Sequence, residues 1–338
     1  MYIKVRKIKW LQTNVILSKY RPRPACGLVL KAGFRGFAAL PGYLHRLTRP
    51  TKLPVDSPEA RRFPVKILYV SDLHGRTEAY EIALERAIAA GVQAIVNGGD
   101  VYPLGRDLFA VQRDFLSGYF SAYLERCRSH GIAYLATLGN MDLRGNDEAF
   151  RRLMAAAPGA YCLLEEATDF GGYTFIGSAL TTDGPFALKD RCRRDLPDSA
   201  AHFSGGQALY SDPAGIHAVS DWSSRVRAMP SLSEHLNTLP RPENPRRTIY
   251  VLHQPPYGAG QGIISSGADV GSHAVAGFLE RCGAPLSLHG HIHESPFCGG
   301  NWRARVGGTT CVQPGQLPGP QCVSVVIELE TLQMERTC

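Results

Sequence analysis

Val65-Lys66-Ile67-Leu68-Tyr69-Val70-Ser71-Asp72-Leu73-His74 (residues 65–74) is an apolar run that stops abruptly at a carboxylate and an imidazole. A short run of β-branched and aromatic residues bounded by polar ones reads as a buried strand. Thr77–Ala90 follows with helical spacing, Ala79, Ile82, Ala83, Ile88 and Ala89 being apolar, and ends at Gly91. The same pattern is then repeated. Ala94–Val96 reads as a strand ending at Asp100, and Asp107–His130 as one long helix closed by Gly131. Ala133–Leu138 reads as a strand ending at Asn140, and Asp147–Ala157 as a helix opened by acids and closed by Pro158-Gly159. Three strand–polar turn–helix units in succession predict a largely parallel sheet in an α/β protein. In such sheets ligands gather beyond the carboxyl ends of the strands, where these polar residues fall.

Further along, Tyr161–Glu165 and Tyr173–Gly177 are expected to pair around Gly171-Gly172. Thr248–Leu252 is a strand ending at His253, His273–Cys282 a short helix, and Pro285–Leu288 a strand ending at His289-Gly290-His291-Ile292-His293. Trp302–Val306, Thr309–Val312 and Val323–Leu329 are closing strands. Between them, 181–247 is rich in Pro, Gly, Ser and Asp, and is expected to be an irregular insertion or lid. There is no internal repeat.

Charge divides the chain in two. Residues 1–62 hold 14 Lys and Arg against Asp56 and Glu59, a net of +12, while 63–338 hold 23 against 28, a net of −5. The chain is therefore read as a basic N-terminal extension, 1–62, and one domain, 63–338. Arg21-Pro22-Arg23-Pro24, Arg49-Pro50 and Leu53-Pro54 exclude one long helix from the extension. The extension is expected to pack on the body or stay mobile, the alternative being a short basic amphipathic helix within Leu28–Leu47 that makes weak membrane-surface or polyanion contact. The acidic body argues against a partner as long and anionic as nucleic acid. Nine scattered cysteines without a Cys-x-x-Cys pair exclude a zinc ribbon and argue for reduced thiols. No run reaches the ~18 apolar residues of a membrane span, and no secretory signal is legible. A cytoplasmic protein, membrane-associated at most, is the expectation.

Seven side chains at the strand ends can bind metal: Asp72, His74, Asp100, Asn140, His253, His291 and His293. Hydrolysis of a phosphate ester at neutral pH needs an activated water held in line with its leaving group, which two cations about 3.5–4 Å apart can provide. Oxygen and imidazole donors suit manganese, iron or zinc, and no thiolate is required.

These fragments resemble the calcineurin-like metallophosphoesterase family, whose motif series is D-x-H, G-D, G-N-H-D/E, H and G-H-x-H. Here the series reads Asp72-Leu73-His74, Gly99-Asp100, Gly139-Asn140-Met141-Asp142, His253 and Gly290-His291-Ile292-His293. Val312-Gln313-Pro314-Gly315-Gln316 and His253-Gln254-Pro255-Pro256-Tyr257-Gly258 are similar to a prokaryotic small-phosphoesterase branch. The resemblance implies a two-sheet β-sandwich core flanked by helices, in four layers α/β/β/α. It implies two metal ions, the first held by Asp72, His74 and His293, the second by Asn140, His253 and His291, with Asp100 bridging. Asp72, Asp100, Asn140 and His291 would then be catalytic, and a metal-bridging hydroxide would attack phosphorus. Asp142 and His289 are expected to orient ligands. Asn140, Arg144, Tyr257, Arg191 and Arg194 are the expected substrate contacts.

One position departs from the pattern. Met141 stands where the family has a histidine that helps protonate the leaving oxygen, and a thioether cannot donate a proton. Either His202, His217 or His273 replaces it, or the leaving group needs little help, or a metal-bound water does the work. Hydrolysis of a phosphate monoester of a small or medium-sized molecule is the expected activity. The alternatives are a diester such as a cyclic nucleotide, and a metal-bound scaffold without catalysis.

Overall fold

The structure is a computed structural model that describes residues 64–201 and 206–338. The basic stretch 1–62, the alternative helix within Leu28–Leu47, and His202 lie outside the described residues.

Two six-stranded sheets make the core. In the first, β1 (Lys66–Val70), β2 (Ala94–Asn97), β3 (Ala133–Ala136) and β4 (Ala160–Cys162) run parallel. β15 (Ser324–Glu328) pairs antiparallel with β1, and β16 (Met334–Thr337) with β15. In the second, β6 (Tyr173–Ser178), β11 (Thr248–Leu252), β12 (Leu286–Leu288) and β14 (Thr309–Val312) run parallel. β5 (Ala167–Phe170) and β13 (Arg303–Val306) close its edges antiparallel.

Alternation along β1 explains why its sequence is apolar from Ile67 to Val70. Ile67 and Tyr69 face the second sheet, where they pack with Val96, Leu135, Phe175, Val251 and Leu288. Leu68 and Val70 face outward, against α1 (Thr77–Ala90), α2 (Leu108–Phe115), α3 (Ser121–Ser129) and α4 (Asp147–Ala156), through Tyr80, Phe120, Tyr123 and Phe150. A strand covered on both faces has no place for a polar side. The second sheet is covered on its outer face by α6 (Leu232–Leu236) and α7 (His273–Cys282), through Leu232, Leu236, Val275 and Leu279. This is the four-layer α/β/β/α order that the resemblance implied.

Three local readings are corrected. The strand that pairs with β6 around Gly171-Gly172 is Ala167–Phe170, while β4, near the expected 161–165, belongs to the other sheet. β5 lies at a sheet edge and is half-exposed, so it lacks an apolar run. The long helix is interrupted by a π segment at Leu116–Phe120. On α1 the buried stripe is Ala79, Tyr80, Ala83, Leu84 and Ala87, and Ile88 is exposed.

The stretch 181–247 contains more regular structure than its composition suggests. β7 (Thr181–Thr182) and β8 (Cys192–Arg193) pair in parallel; β9 (Ala208–Asp212) and β10 (Gly215–Val219) form a hairpin. With α5 (Trp222–Ala228) they enclose a small core of Cys192, Ala208, Val219, Trp222 and Val226. A buried ion pair anchors it: Lys189 Nζ lies 2.8 Å from Asp183 Oδ1. Trp222 Nε1 donates to Asp183 Oδ2 at 2.9 Å.

Candidate metal centre

Strand register brings the polar turns together. Val70 lies opposite Asn97, and Asn97 opposite Ala136, so three strands of the first sheet end side by side. In the second sheet Leu252 lies opposite Ser178, and Val251 opposite Leu288. The turns beyond are then tied by their backbones. Asp72 N donates to Gly99 O (2.9 Å), His74 N to Asp100 O (2.8 Å), and Gly290 N to His253 O (3.0 Å).

Four of the donors adopt a backbone that L-residues rarely take: φ is +59° at Asp72, +47° at His74, +50° at Asp100 and +71° at His291. Only Glu165 and Leu332 join them among the described non-glycine residues. Left-handed backbone at non-glycine residues concentrates where a site over-determines geometry. Close approach also requires glycine. A Cβ on Gly139 would sit 2.3 Å from Asp100 Oδ1, and one on Gly290 2.6 Å from Asp72 Oδ2.

The side chains fall into two groups about one carboxylate. Asp72, His74, Asp100 and His293 place one donor atom each within 4.8 Å of one another. His74 Nε2 lies 3.1 Å from His293 Nε2, and His293 Nε2 3.3 Å from Asp72 Oδ1. In the other group, Asn140 Oδ1 lies 3.1 Å from His253 Nε2 and 2.7 Å from His291 Nδ1. Asp100 Oδ2 stands 3.6 Å from both His74 Nε2 and His253 Nε2. The set fits a pair of cations: imidazole nitrogens are turned toward each other and toward carboxylates, and the buried Asp72 Oδ2 has no hydrogen-bond partner. Hard oxygen and nitrogen donors of this kind could hold two ions.

Supporting contacts fix the orientation. His253 Nδ1 lies 2.9 Å from Gly98 O, which can only accept, so Nδ1 carries a proton and Nε2 is the nitrogen turned toward the other donors. Met141 N donates to Asp100 Oδ1 at 2.8 Å. Its carbonyl accepts from Gln112 Nε2 at 2.8 Å, so the backbone at 141 braces the carboxylate whatever side chain it carries. Gln313 Nε2 donates to Ile292 O at 2.6 Å, and Gln316 Nε2 to Ser71 O at 2.9 Å. The segment Val312–Gln316 therefore buttresses both histidine and aspartate turns.

The electrostatics follow from burial. Burial alone would raise Asp72, yet His293 and His253 hold it down at about 2. Asp100 is likewise held low by His253 and His74 against burial. Burial lowers His74 to about 4 and His291 to about 3. Against the same burial, Asp100 raises His253 to about 9, and Asp72 raises His293.

The remaining expected residues are placed as follows. Asp142 accepts from Val101 N (3.0 Å), Tyr102 N (2.8 Å) and Gly139 N (2.8 Å), clamping the Asp100 turn to the Asn140 turn. Burial and the charge of Asp100 push its carboxyl up to about 7 against those donors. His289 is buried, with Nδ1 3.0 Å from Leu252 O and from Gln254 O. Tyr257 is exposed and stacks on His273, ring centroids 3.9 Å apart. His217 is paired with Asp212 at 2.9 Å. Arg144 is exposed.

Two expected substrate contacts are corrected. Arg191 is buried and forms a two-pronged pair with Asp147, one prong at 3.0 Å. Arg194 donates to the carbonyls of Val226 (3.3 Å) and Met229 (3.2 Å) beside α5. Both guanidiniums hold the insertion together, because an arginine can saturate several backbone carbonyls or a whole carboxylate at once. One residue was missed. Phe186, 46% exposed between β7 and β8, lies with its ring 6.1 Å from that of His291. Only its place after Gly184-Pro185 hinted at an exposed turn.

A family described as calcineurin-like phosphoesterase matches residues 65–295. No curated protein matches the sequence. Among solved structures, TT1561 of Thermus thermophilus is 19% identical, with 81% of this chain and 99% of that one covered and a TM-score of 0.49. A second solved structure is 16% identical over 81% of this chain and 99% of its own, with a TM-score of 0.53. A dimetal phosphatase from Danio rerio is 13% identical over 79% and 93%, with a TM-score of 0.42. At 16% identity the likeness to the second structure is one of fold alone.

Proposed function

The chain belongs to the calcineurin-like phosphoesterase family, and we propose that it is a dinuclear-metal phosphatase acting on a phosphate monoester of a small or medium-sized molecule. The position of Asp100 carries this reading: its Oδ2 stands 3.6 Å from one imidazole of each donor group. We assign Asp72, His74 and His293 to one ion, Asn140, His253 and His291 to the other, and Asp100 to both. Manganese, iron and zinc all suit this set. When bound, such a pair supplies an activated water and neutralises charge on the phosphoryl oxygens.

The chain's own residues then do three things. Met141 N holds Asp100 Oδ1, and Gly98 O fixes the tautomer of His253, so the donors meet their ions without rearranging. Phe186 offers an apolar face beside His291 to the organic part of the ester. Met141, directly after Asn140, cannot donate a proton; among the described residues His217 is paired with Asp212 and His273 packs on Tyr257, while His202 lies outside them. That supports esters whose leaving oxygen departs without a proton from the protein, general-acid help being worth about 10²–10⁴-fold elsewhere. The acidic body, with 23 basic against 28 acidic residues over 63–338, supports a small substrate over a nucleic acid.

The test compares p-nitrophenyl phosphate with bis-p-nitrophenyl phosphate on the purified chain and on Asp100→Asn, with metal content measured in both. Two metals per chain, monoester turnover, and loss of both in the variant are expected. Turnover of the diester alone would overturn the monoester assignment. A chain that holds no metal and turns over neither ester would leave the non-catalytic scaffold.

A further inference from the structure

Beside the turn that follows Asn140 lies a cavity of about 220 Å³ that none of the seven donors lines. Its wall carries Arg144, Lys189, Tyr210 and Arg225, with Asp190 and Asp212 as its carboxylates. Most of these charges are committed. Lys189 is paired with Asp183 at 2.8 Å. Asp190 accepts from Arg144 N (2.9 Å), Ser211 N (2.6 Å) and the Ser211 hydroxyl. Asp212 accepts from Ala214 N (2.8 Å) and pairs with His217 (2.9 Å). Arg144 and Arg225 are exposed, and neither forms an ion pair among the described residues.

Arg225 is also oriented. Its Cζ lies 4.3 Å from the Tyr210 ring centroid. A guanidinium held over an aromatic ring keeps N–H groups available for an oxyanion contact. The charge of Arg144 is felt nearby: after burial, it and Arg191 lower Arg193. Arg144 is four residues from Asn140, so their Cα atoms are at most about 14 Å apart. The turn between them is pinned to the hairpin wall by Gly145 N donating to Ser211 Oγ at 2.9 Å.

We propose that this cavity binds a second oxyanion, a phosphate or a carboxylate, carried by the same substrate whose phosphate ester is cleaved at the donor cluster. The substrate class is thus a doubly anionic phosphate ester with its charges on the order of ten ångströms apart, a span set by the chain distance above. This inference rests on the phosphatase reading.

The test uses the full chain, with and without added manganese. Trp222 lines the cavity and reports binding by its emission. Without manganese, inorganic phosphate and succinate are titrated separately, which tells a phosphate site from a carboxylate site. Saturable binding of at least one is expected, weakened about tenfold or more in Arg225→Ala and Arg144→Ala, the loss of a charge-assisted contact, and retained in Arg227→Ala. With manganese, Arg225→Ala is expected to raise KM for an alkyl bisphosphate about tenfold more than for p-nitrophenyl phosphate, with little change in kcat. Binding by neither anion, undiminished binding in both arginine variants, or an equal KM shift for the two esters would overturn the proposal. Arginine-dependent binding in a chain that hydrolyses no ester would uphold the anion site and sink the phosphatase reading instead.

Discussion

Gly139→Ala tests whether Asp100 must stand where it does. The added Cβ would lie 2.3 Å from Asp100 Oδ1, 2.5 Å from Asp100 N and 2.7 Å from His253 Cε1. Two of those atoms belong to the carboxylate and backbone of one residue, so no rotamer change relieves both. An ordinary carbon contact near 3.5 Å therefore demands a shift of about 1 Å in Asp100 or in the Asn140 turn. Displacements of that size cost about 10²-fold in rate, and overpacking a rigid site costs about 1–3 kcal/mol. Gly118→Ala is the control: nothing lies within 4 Å of its Cβ, and it is exposed within a helical segment. There the gain is about 0.5–1 kcal/mol. Metal content by atomic emission, kcat/KM on p-nitrophenyl phosphate, and Tm are measured for both. Gly139→Ala should lose metal and about 10²-fold in kcat/KM, while Gly118→Ala keeps both. A Gly139→Ala protein with two metals and activity within about threefold of the parent would refute the claim that Asp100 is held in place by contact.

Other perturbations read different parts of the molecule. Phe186→Ala should keep its metals and raise KM for aryl phosphates about three- to tenfold, the worth of one aromatic contact; an unchanged KM would remove Phe186 from the substrate path. Lys189→Met leaves a buried carboxylate without its ammonium, which costs about 3–5 kcal/mol. Thermal denaturation should show the drop, and an unaltered Tm would mean the insertion is not anchored by that pair. In the metal-free chain, burial lowers His74, His289 and His291 to about 4, 4 and 3. Bases depressed on folding contribute stability that is present above their unfolded pKa near 6.5 and lost as pH falls toward 4. The raised carboxyl of Asp142 opposes the three histidines over that window, so Tm should decline with their net effect, less steeply in His289→Asn; equal slopes would show that His289 does not contribute.

The centre was legible because its chemistry is written in residues that strands deliver at their ends. Asp72, Asp100 and Asn140 each follow an apolar run, and parallel sheets bring such ends together. The two-sheet layering came from the family resemblance, since periodicity alone says nothing of which strands share a sheet. Ala167–Phe170 shows the difficulty: an edge strand needs no apolar face. The insertion was opaque for another reason. Its order depends on Lys189 and Asp183, which pair across a turn, on Arg191, whose partner Asp147 lies outside the insertion, and on Arg194, which meets backbone carbonyls. A charge cluster reads as a solvated surface until its partners are seen. Phe186 left no signal because an aromatic beside a metal site and an aromatic in a loop look alike in sequence.

The donors are divided between the sheets: Asp72, His74, Asp100 and Asn140 follow strands of the first, His253, His291 and His293 follow strands of the second. That division has a consequence for biosynthesis. A ribosome adds about 5–20 residues per second, so roughly 10–40 s separate the emergence of Asp100 from that of His293. For most of that interval the nascent chain displays Asp72, His74, Asp100 and Asn140 without His253, His291 and His293, the imidazoles that complete the two groups. Metal capture is thus a late event in the life of the polypeptide, gated by the arrival of its last histidine, and a product terminated before residue 291 would be released without the means to keep an ion.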